Sequence, residues 1–176
     1  MANRRPSPVD YGFRGPLNWV LSGAISGVAG AIAFGALLGL IYPDVVSVTI
    51  PSLYGLEAMQ GMGWGLHLLH GLVFGVVFGF IVTRKSVLRF LISNPNQRHF
   101  QQQGPSMRLT VLGMCYGLLI WLSIPLVLLP FSAFLSGGTY PDFPAATVES
   151  LLGHLTFGGV LGFIFANFIN ISASAK

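Results

Sequence analysis

The sequence predicts an all-α polytopic membrane protein: four transmembrane helices arranged as two helix-pair repeats, with the N and C termini on the cytoplasmic side. Three observations carry this reading. Residues 17–42, 63–82, 109–129 and 150–169 form four apolar runs free of Asp, Glu, Lys and Arg. Only 8% of the 176 residues are charged, against about 25% in an ordinary soluble domain, so the chain lacks the charge to coat a surface in water. All nine Lys and Arg residues fall in three of the five segments that the runs leave between and beside them.

Each run has the roughly 20 residues a helix needs to cross about 30 Å of hydrocarbon. Lipid offers no partner for backbone amides, which leaves helices and closed barrels as spanning structures. The runs show none of the ten-residue alternation that a barrel strand requires. The first run follows Arg4 and Arg5 and contains a tolerable cleavage site at Ala31 to Ala33. It is longer than a signal-peptide core, and its leader is broken by Pro6, Pro8 and Pro16, so a retained helix is expected.

In order, residues 1–16 are a cytoplasmic tail and 17–83 a first helix pair with an outer loop at 43–62. Residues 84–108 are a basic cytoplasmic linker, 109–170 a second helix pair with an outer loop at 130–149, and 171–176 a second tail. Arg4, Arg5 and Arg14 precede the first helix. Arg84, Lys85, Arg89, Arg98 and Arg108 lie in the linker, and Lys176 ends the chain. With four crossings these segments share one face, which the positive-inside rule makes cytoplasmic, and the expected location is the cell membrane. The other two loops hold Asp44, Glu57, Asp142 and Glu149 with no Lys or Arg. The basic charge therefore reads as topology and contact with anionic lipid. It lacks the aromatic interleaving of a nucleic-acid surface, so no nucleic-acid partner is expected.

The two halves align without a gap. Residues 68–81 (LLHGLVFGVVFGFI) match residues 151–164 (LLGHLTFGGVLGFI) at Leu68/Leu151, Leu72/Leu155, Phe74/Phe157, Gly75/Gly158, Gly79/Gly162 and Phe80/Phe163. Apolar helices resemble one another by composition, but the shared register of Phe-Gly and Gly-Phe-Ile favours an internal duplication. Both halves start on one side, so the repeat is parallel, about an axis along the membrane normal. In the linker, residues 87–92 extend the second helix or lie on the membrane surface, and residues 94–105 are polar and bounded by prolines. Both outer loops are unusually apolar and are expected to lie in the interface or fold back over the helix ends, a re-entrant loop being the sharper form. Trp64 suits the interfacial belt.

Glycine and histidine supply the candidate functional residues. Gly71, Gly75 and Gly79 recur every four residues, as do Gly158 and Gly162, which places each set on one helix face. Small residues there let backbones approach, and the expected contact is the second helix against the fourth. Gly23, Gly27, Gly30, Gly35 and Gly39 form a similar set in the first helix. Pro125 is expected to kink the third.

His67 and His70 lie one turn apart near the outer end of the second helix. His154 lies near the outer end of the fourth, with Glu149 just before it. His67 and His154 continue the two glycine stripes, so facing stripes would bring them to one seam, offset by about 6 Å along the axis. Ionisable groups in a membrane default to a functional hypothesis. His67, His70, His154 and Glu149 together suit a transition metal. The histidines suit a haem held by one imidazole from each helix, or protonation during solute transport. The plainer alternative is that each imidazole bonds across helices or to a loop carbonyl. Glu149 has its own plain role, favouring the helix N-terminus. His99 lies in the polar linker, and Cys115 has no partner for a disulfide.

No phosphate-binding loop, Cys-x-x-Cys, Gly-x-Ser-x-Gly or His-Glu-x-x-His occurs in the sequence, so the chain is not expected to be an enzyme. Residues 50–56 (IPSLYGL), 63–75 (GWGLHLLHGLVFG), 141–144 (PDFP) and 151–154 (LLGH) resemble small four-helix archaeal membrane proteins, mostly haloarchaeal. Proteins of that kind are sometimes called histidine kinases, a label at odds with the absence of kinase motifs here. The resemblance covers about a third of the chain and implies a four-helix membrane protein of unassigned role, with no catalytic residue to carry over. Three functions remain open: an outward-facing His/Glu site for a metal, haem or small solute; an accessory subunit of a larger membrane complex; and an oligomeric channel or proton-coupled transporter.

Overall fold

The structure, a computed structural model, describes residues 9–10, 17–92, 104–135 and 147–171. The expectations for Arg4, Arg5, Arg14, Arg98, His99, Asp142 and Lys176, and for the 141–144 motif, lie outside the described residues.

Among the described residues, four helices are long and apolar enough to cross a membrane. They are α1 (Asn18–Ile41), α3 (Gln60–Val82), α5 (Pro105–Ser123, continued by a π-helical turn at Ile124–Leu128 and by α6 at Leu129–Leu135) and α7 (Val148–Phe168). The short helices α2 (Ile50–Ser52) and α4 (Lys85–Ile92) lie in the connections flanking α3. A two-residue antiparallel pair, β1 (Val9–Asp10) with β2 (Asn170–Ile171), joins the ends of the described chain. Arg108, assigned to the linker by sequence, is in the first turn of α5. It is buried and donates from Nη1 to the Leu91 carbonyl at 3.0 Å, tying α4 to α5.

The helices pack as lipid-immersed helices do, small residues inward and large apolar ones outward. The buried stripe of α1 is Ser22, Gly23, Ser26, Gly27, Gly30, Ala31, Gly35 and Leu38, while Leu21, Ile25, Ile32 and Leu40 face out. The Ser22 and Ser26 hydroxyls donate to the carbonyls one turn back, so both are satisfied inside the apolar layer.

Close packing joins α1 to α3, α5 to α7 and α1 to α7, whereas α3 and α5 are not packed together in this way. The glycines decide this arrangement. A Cβ built on Gly27 would stand 2.0 Å from the Gly71 carbonyl oxygen, and one on Gly75 2.1 Å from that of Gly23. In the other pair, Gly113 and Gly158 each come within 2.0 Å of the other's carbonyl, and Gly162 lies against Leu109. The seam expected between the second and fourth helices is therefore corrected. Gly71 and Gly75 face α1, and Gly158 and Gly162 face α5. A spacing of four marks a close-packed face without naming its partner. Gly79 lies against the Trp19 carbonyl of α1, with the Phe165 ring of α7 at 3.4 Å.

Phe78, Tyr116 and Phe165 close the centre of the bundle. Phe78 meets Phe165 edge-on at 5.5 Å and Tyr116 at 5.4 Å. The Tyr116 hydroxyl donates to the Phe74 carbonyl at 2.9 Å, a polar link from α5 to α3. At Pro125 the backbone widens into a π-turn. Proline has no N–H to give the Trp121 carbonyl, which takes the N–H of Ile124 instead, and Leu129 N–H then reaches back five residues to Ile124.

The connection between α1 and α3 folds back over the bundle. Its π-turn (Val45–Thr49) and α2 bury Val45, Val46, Ile50 and Pro51. The Val46 carbonyl lies where a side chain at Gly63 would stand, so Gly63 admits the loop. Gly55 closes α2 at φ 67°, a left-handed conformation that suits glycine.

Candidate ligand cavity

Between α3 and α5, above the Phe78–Tyr116–Phe165 plug, lies a cavity of about 490 Å³, within the range of small-molecule sites. Ala31, Phe34 and Leu38 of α1 and Ser150, His154 and Phe157 of α7 form its back wall. His67, His70, Gly71 and Phe74 of α3 face Ile120, Ser123, Ile124, Val127 and Phe131 of α5 and its continuation. Tyr42, Val45, Ile50, Leu53 and Tyr54 roof it. The lining is chiefly carbon and, among the described residues, includes no Lys, Arg, Asp or Glu.

All three membrane histidines line this space. His67 is buried and donates from Nε2 to the Ala31 carbonyl at 2.9 Å. His154, also buried, donates from Nδ1 to the Ser150 carbonyl at 2.8 Å. The plain expectation, a bond across helices or to a loop carbonyl, describes His67 Nε2, whereas His154 bonds within its own helix. Both rings rest on Phe34. His67 meets it edge-on at 5.4 Å and His154 lies at 4.7 Å. Trp64, placed in the interfacial belt by sequence, is half-buried against Gly35 and edge-on to His67 at 5.9 Å.

His70 belongs to the roof. Its Nε2 shares a hydrogen bond with the Tyr54 hydroxyl, and the rings stack at 5.7 Å. Partial burial raises the pKa of the Tyr54 phenol above its ordinary value. The loop is thus pinned to α3 at the cavity mouth.

The metal centre expected at His67, His70, His154 and Glu149 is not assembled by this arrangement of side chains. Among the described residues, no three or more His, Cys, Asp or Glu side chains are grouped so as to hold a metal ion. His70 turns to Tyr54. Glu149 sits in the first turn of α7, five residues before His154 and so about 140° around the helix from it. The Thr147 side chain caps that turn, accepting from Ser150 N at 3.2 Å. A haem held by His67 and His154 is also poorly served. His67 gives Nε2, its less hindered nitrogen, to Ala31, and its remaining nitrogen adjoins the ring's attachment to the chain.

Phe34, Tyr54 and Tyr116, with Gly113 and Gly117, are the residues that sequence reasoning passed over. Gly113 and Gly117 carried a legible signal, since they repeat the spacing of four seen in the neighbouring helices. Phe34 and Tyr116 are aromatic residues inside apolar runs and carry none. Comparison of the chain with family models, curated proteins and solved structures finds no match.

Proposed function

We propose that this is an integral protein of the cell membrane that binds a small, mostly apolar molecule in the cavity between α3 and α5, with His67 and His154 engaging its polar end. The observation that carries this reading is the convergence of the two buried imidazoles on Phe34 at the back of one apolar cavity. A binding site needs a few placed polar groups in a largely apolar wall, and this cavity has that composition. The reading is of a binding or carrier protein, since the described lining is chiefly apolar with a few placed polar side chains.

The proposed orientation puts the cavity in the outer leaflet and both termini in the cytoplasm, following the distribution of Lys and Arg. The proposed internal duplication is supported by contacts as well as letters. Gly27 meets the Gly71 carbonyl and Gly23 that of Gly75; Gly117 meets the His154 carbonyl and Gly113 that of Gly158. The sequence alignment independently pairs Gly71 with His154 and Gly75 with Gly158.

The test is to purify the protein in a mild detergent, extract it with organic solvent and identify co-purifying molecules by mass spectrometry, with a visible spectrum and metal analysis of the same sample. A stoichiometric apolar molecule, lost on Phe34→Ala substitution, is the expected result. A Soret band or a stoichiometric metal would replace this reading with a cofactor site.

A further inference from the structure

We propose that the occupant of this cavity is a neutral amphiphile with a hydroxyl head, an alcohol or phenol, that enters from the bilayer between α3 and α5. This rests on the cavity being a ligand site, as proposed above, and adds the chemistry of the head group and the route of entry.

The head group follows from the two imidazoles. A carbonyl only accepts, so the bonds to Ala31 and Ser150 commit an N–H of each ring. A neutral imidazole has one N–H, so His67 Nδ1 and His154 Nε2 are left as acceptors. Neither nitrogen forms a hydrogen bond with the described residues, and both rings line the cavity. The α3 and α7 sides of the cavity thus present two lone pairs and call for a donor.

Charge narrows the choice. With no Lys or Arg among the described lining residues, a carboxylate or phosphate would bring negative charge against lone pairs in an apolar wall. With no Asp or Glu among the same described residues, an ammonium would be buried without a counter-ion from them, at high cost. A hydroxyl donates one hydrogen bond and carries no charge.

The route follows from packing. α3 and α5 lack the close contact that joins the other neighbouring helices. Val127 and Phe131, on the α5 side of the gap, are exposed on the surface that faces lipid. A molecule dissolved in the bilayer meets an apolar entrance there, while the loop pinned by Tyr54 covers the aqueous end.

The test uses the full chain in lipid nanodiscs and a long-chain primary alcohol carrying a diazirine in its tail. Adducts are mapped by mass spectrometry, and competition is measured with the unlabelled alcohol, its methyl ether and the carboxylate of equal length. Adducts are expected on the cavity faces of α3 and α5, with the alcohol competing at fivefold or lower concentration than the ether and the carboxylate weakest. His154→Leu should erase the alcohol-to-ether difference while labelling persists, and His67→Leu provides a second variant should the first fail to fold. Equal competition by ether or carboxylate would overturn the head-group assignment and leave the cavity standing. Labelling confined to outward helix faces and insensitive to competitors would remove the cavity reading itself.

Discussion

His67 on α3 reaches across the bundle to donate from Nε2 to the carbonyl of Ala31 on α1, 2.9 Å away. That carbonyl lies within a continuous helix, so the imidazole is an added partner rather than a rescue. Side-chain hydrogen bonds between membrane helices contribute on average about 0.6 kcal/mol. His67→Leu should therefore cost about 1 kcal/mol in unfolding free energy, measured in detergent–SDS mixtures. A loss beyond about 3 kcal/mol would mean that His67 anchors more than this bond and its packing on Phe34 and Trp64.

Gly27→Ala should be far more damaging than its one added carbon suggests. The new Cβ would meet the Gly71 carbonyl oxygen at 2.0 Å and the Gly75 backbone at 2.7 Å. Backbone cannot swing aside, so α1 and α3 must separate. Overpacking of this kind costs about 1–3 kcal/mol. Gly65, on the open side of α3, has nothing within 4 Å of its Cβ position. Gly65→Ala should leave stability unchanged or raise it by up to about 1 kcal/mol. Melting temperatures of the two purified variants compare them directly; equal effects would contradict the α1–α3 contact.

The four spans were legible because length and absence of charge are local properties, which the lipid requirement turns into helices. The bounds of α1 differ from the apolar run by one residue at each end. The third span did not stop where the run of Leu and Val ends. It continues through Pro125 and Pro130 to Leu135, with a π-turn absorbing the missing N–H groups. The partners of the glycine faces were not legible, because Gly71 carries the same signal whether Gly27 or another helix lies opposite. The joining of His67 and His154 was anticipated for the wrong reason. Facing glycine stripes do not bring them together. Phe34, from a third helix, touches both rings.

Tyr116→Phe probes the weakest side of the bundle. Its hydroxyl donates to Phe74 where α3 and α5 lack a broad seam. The ring contact with Phe78 should survive the change, so the expected loss is about 0.5–1.5 kcal/mol. Because the bond floors the cavity, labelling by an apolar photoprobe should extend toward Leu109. Unchanged labelling with unchanged stability would show that the bond contributes nothing to closing the gap.

Gly153→Ala tests Phe34 as the shared support of the imidazoles. A Cβ there would stand 2.1 Å from Phe34 Cε2, the outer part of a side chain that turns with little cost, so stability should fall by no more than about 1 kcal/mol. The displaced ring should alter both His67 and His154, whose ring resonances in selectively labelled protein should shift together by NMR. Movement of the His154 signals alone would mean that Phe34 does not couple the two sites.

Orientation is the last point open to direct test. Ser52, at the end of α2, and Ser86, in α4, are both exposed and lie beyond opposite ends of α3. With Cys115 first changed to Ala, Ser52→Cys should react with a membrane-impermeant maleimide added to intact cells. Ser86→Cys should react only after the cells are opened. The argument depends on Arg84, Lys85 and Arg89, whose charges surround Ser86 while Lys and Arg are absent from the loop around Ser52. Near a membrane end such a bias sets which side stays inside. The reverse labelling pattern would place the roof of Tyr54 and His70 in the cytoplasm. The cavity would then open to the inner leaflet, and its occupant would have to come from there.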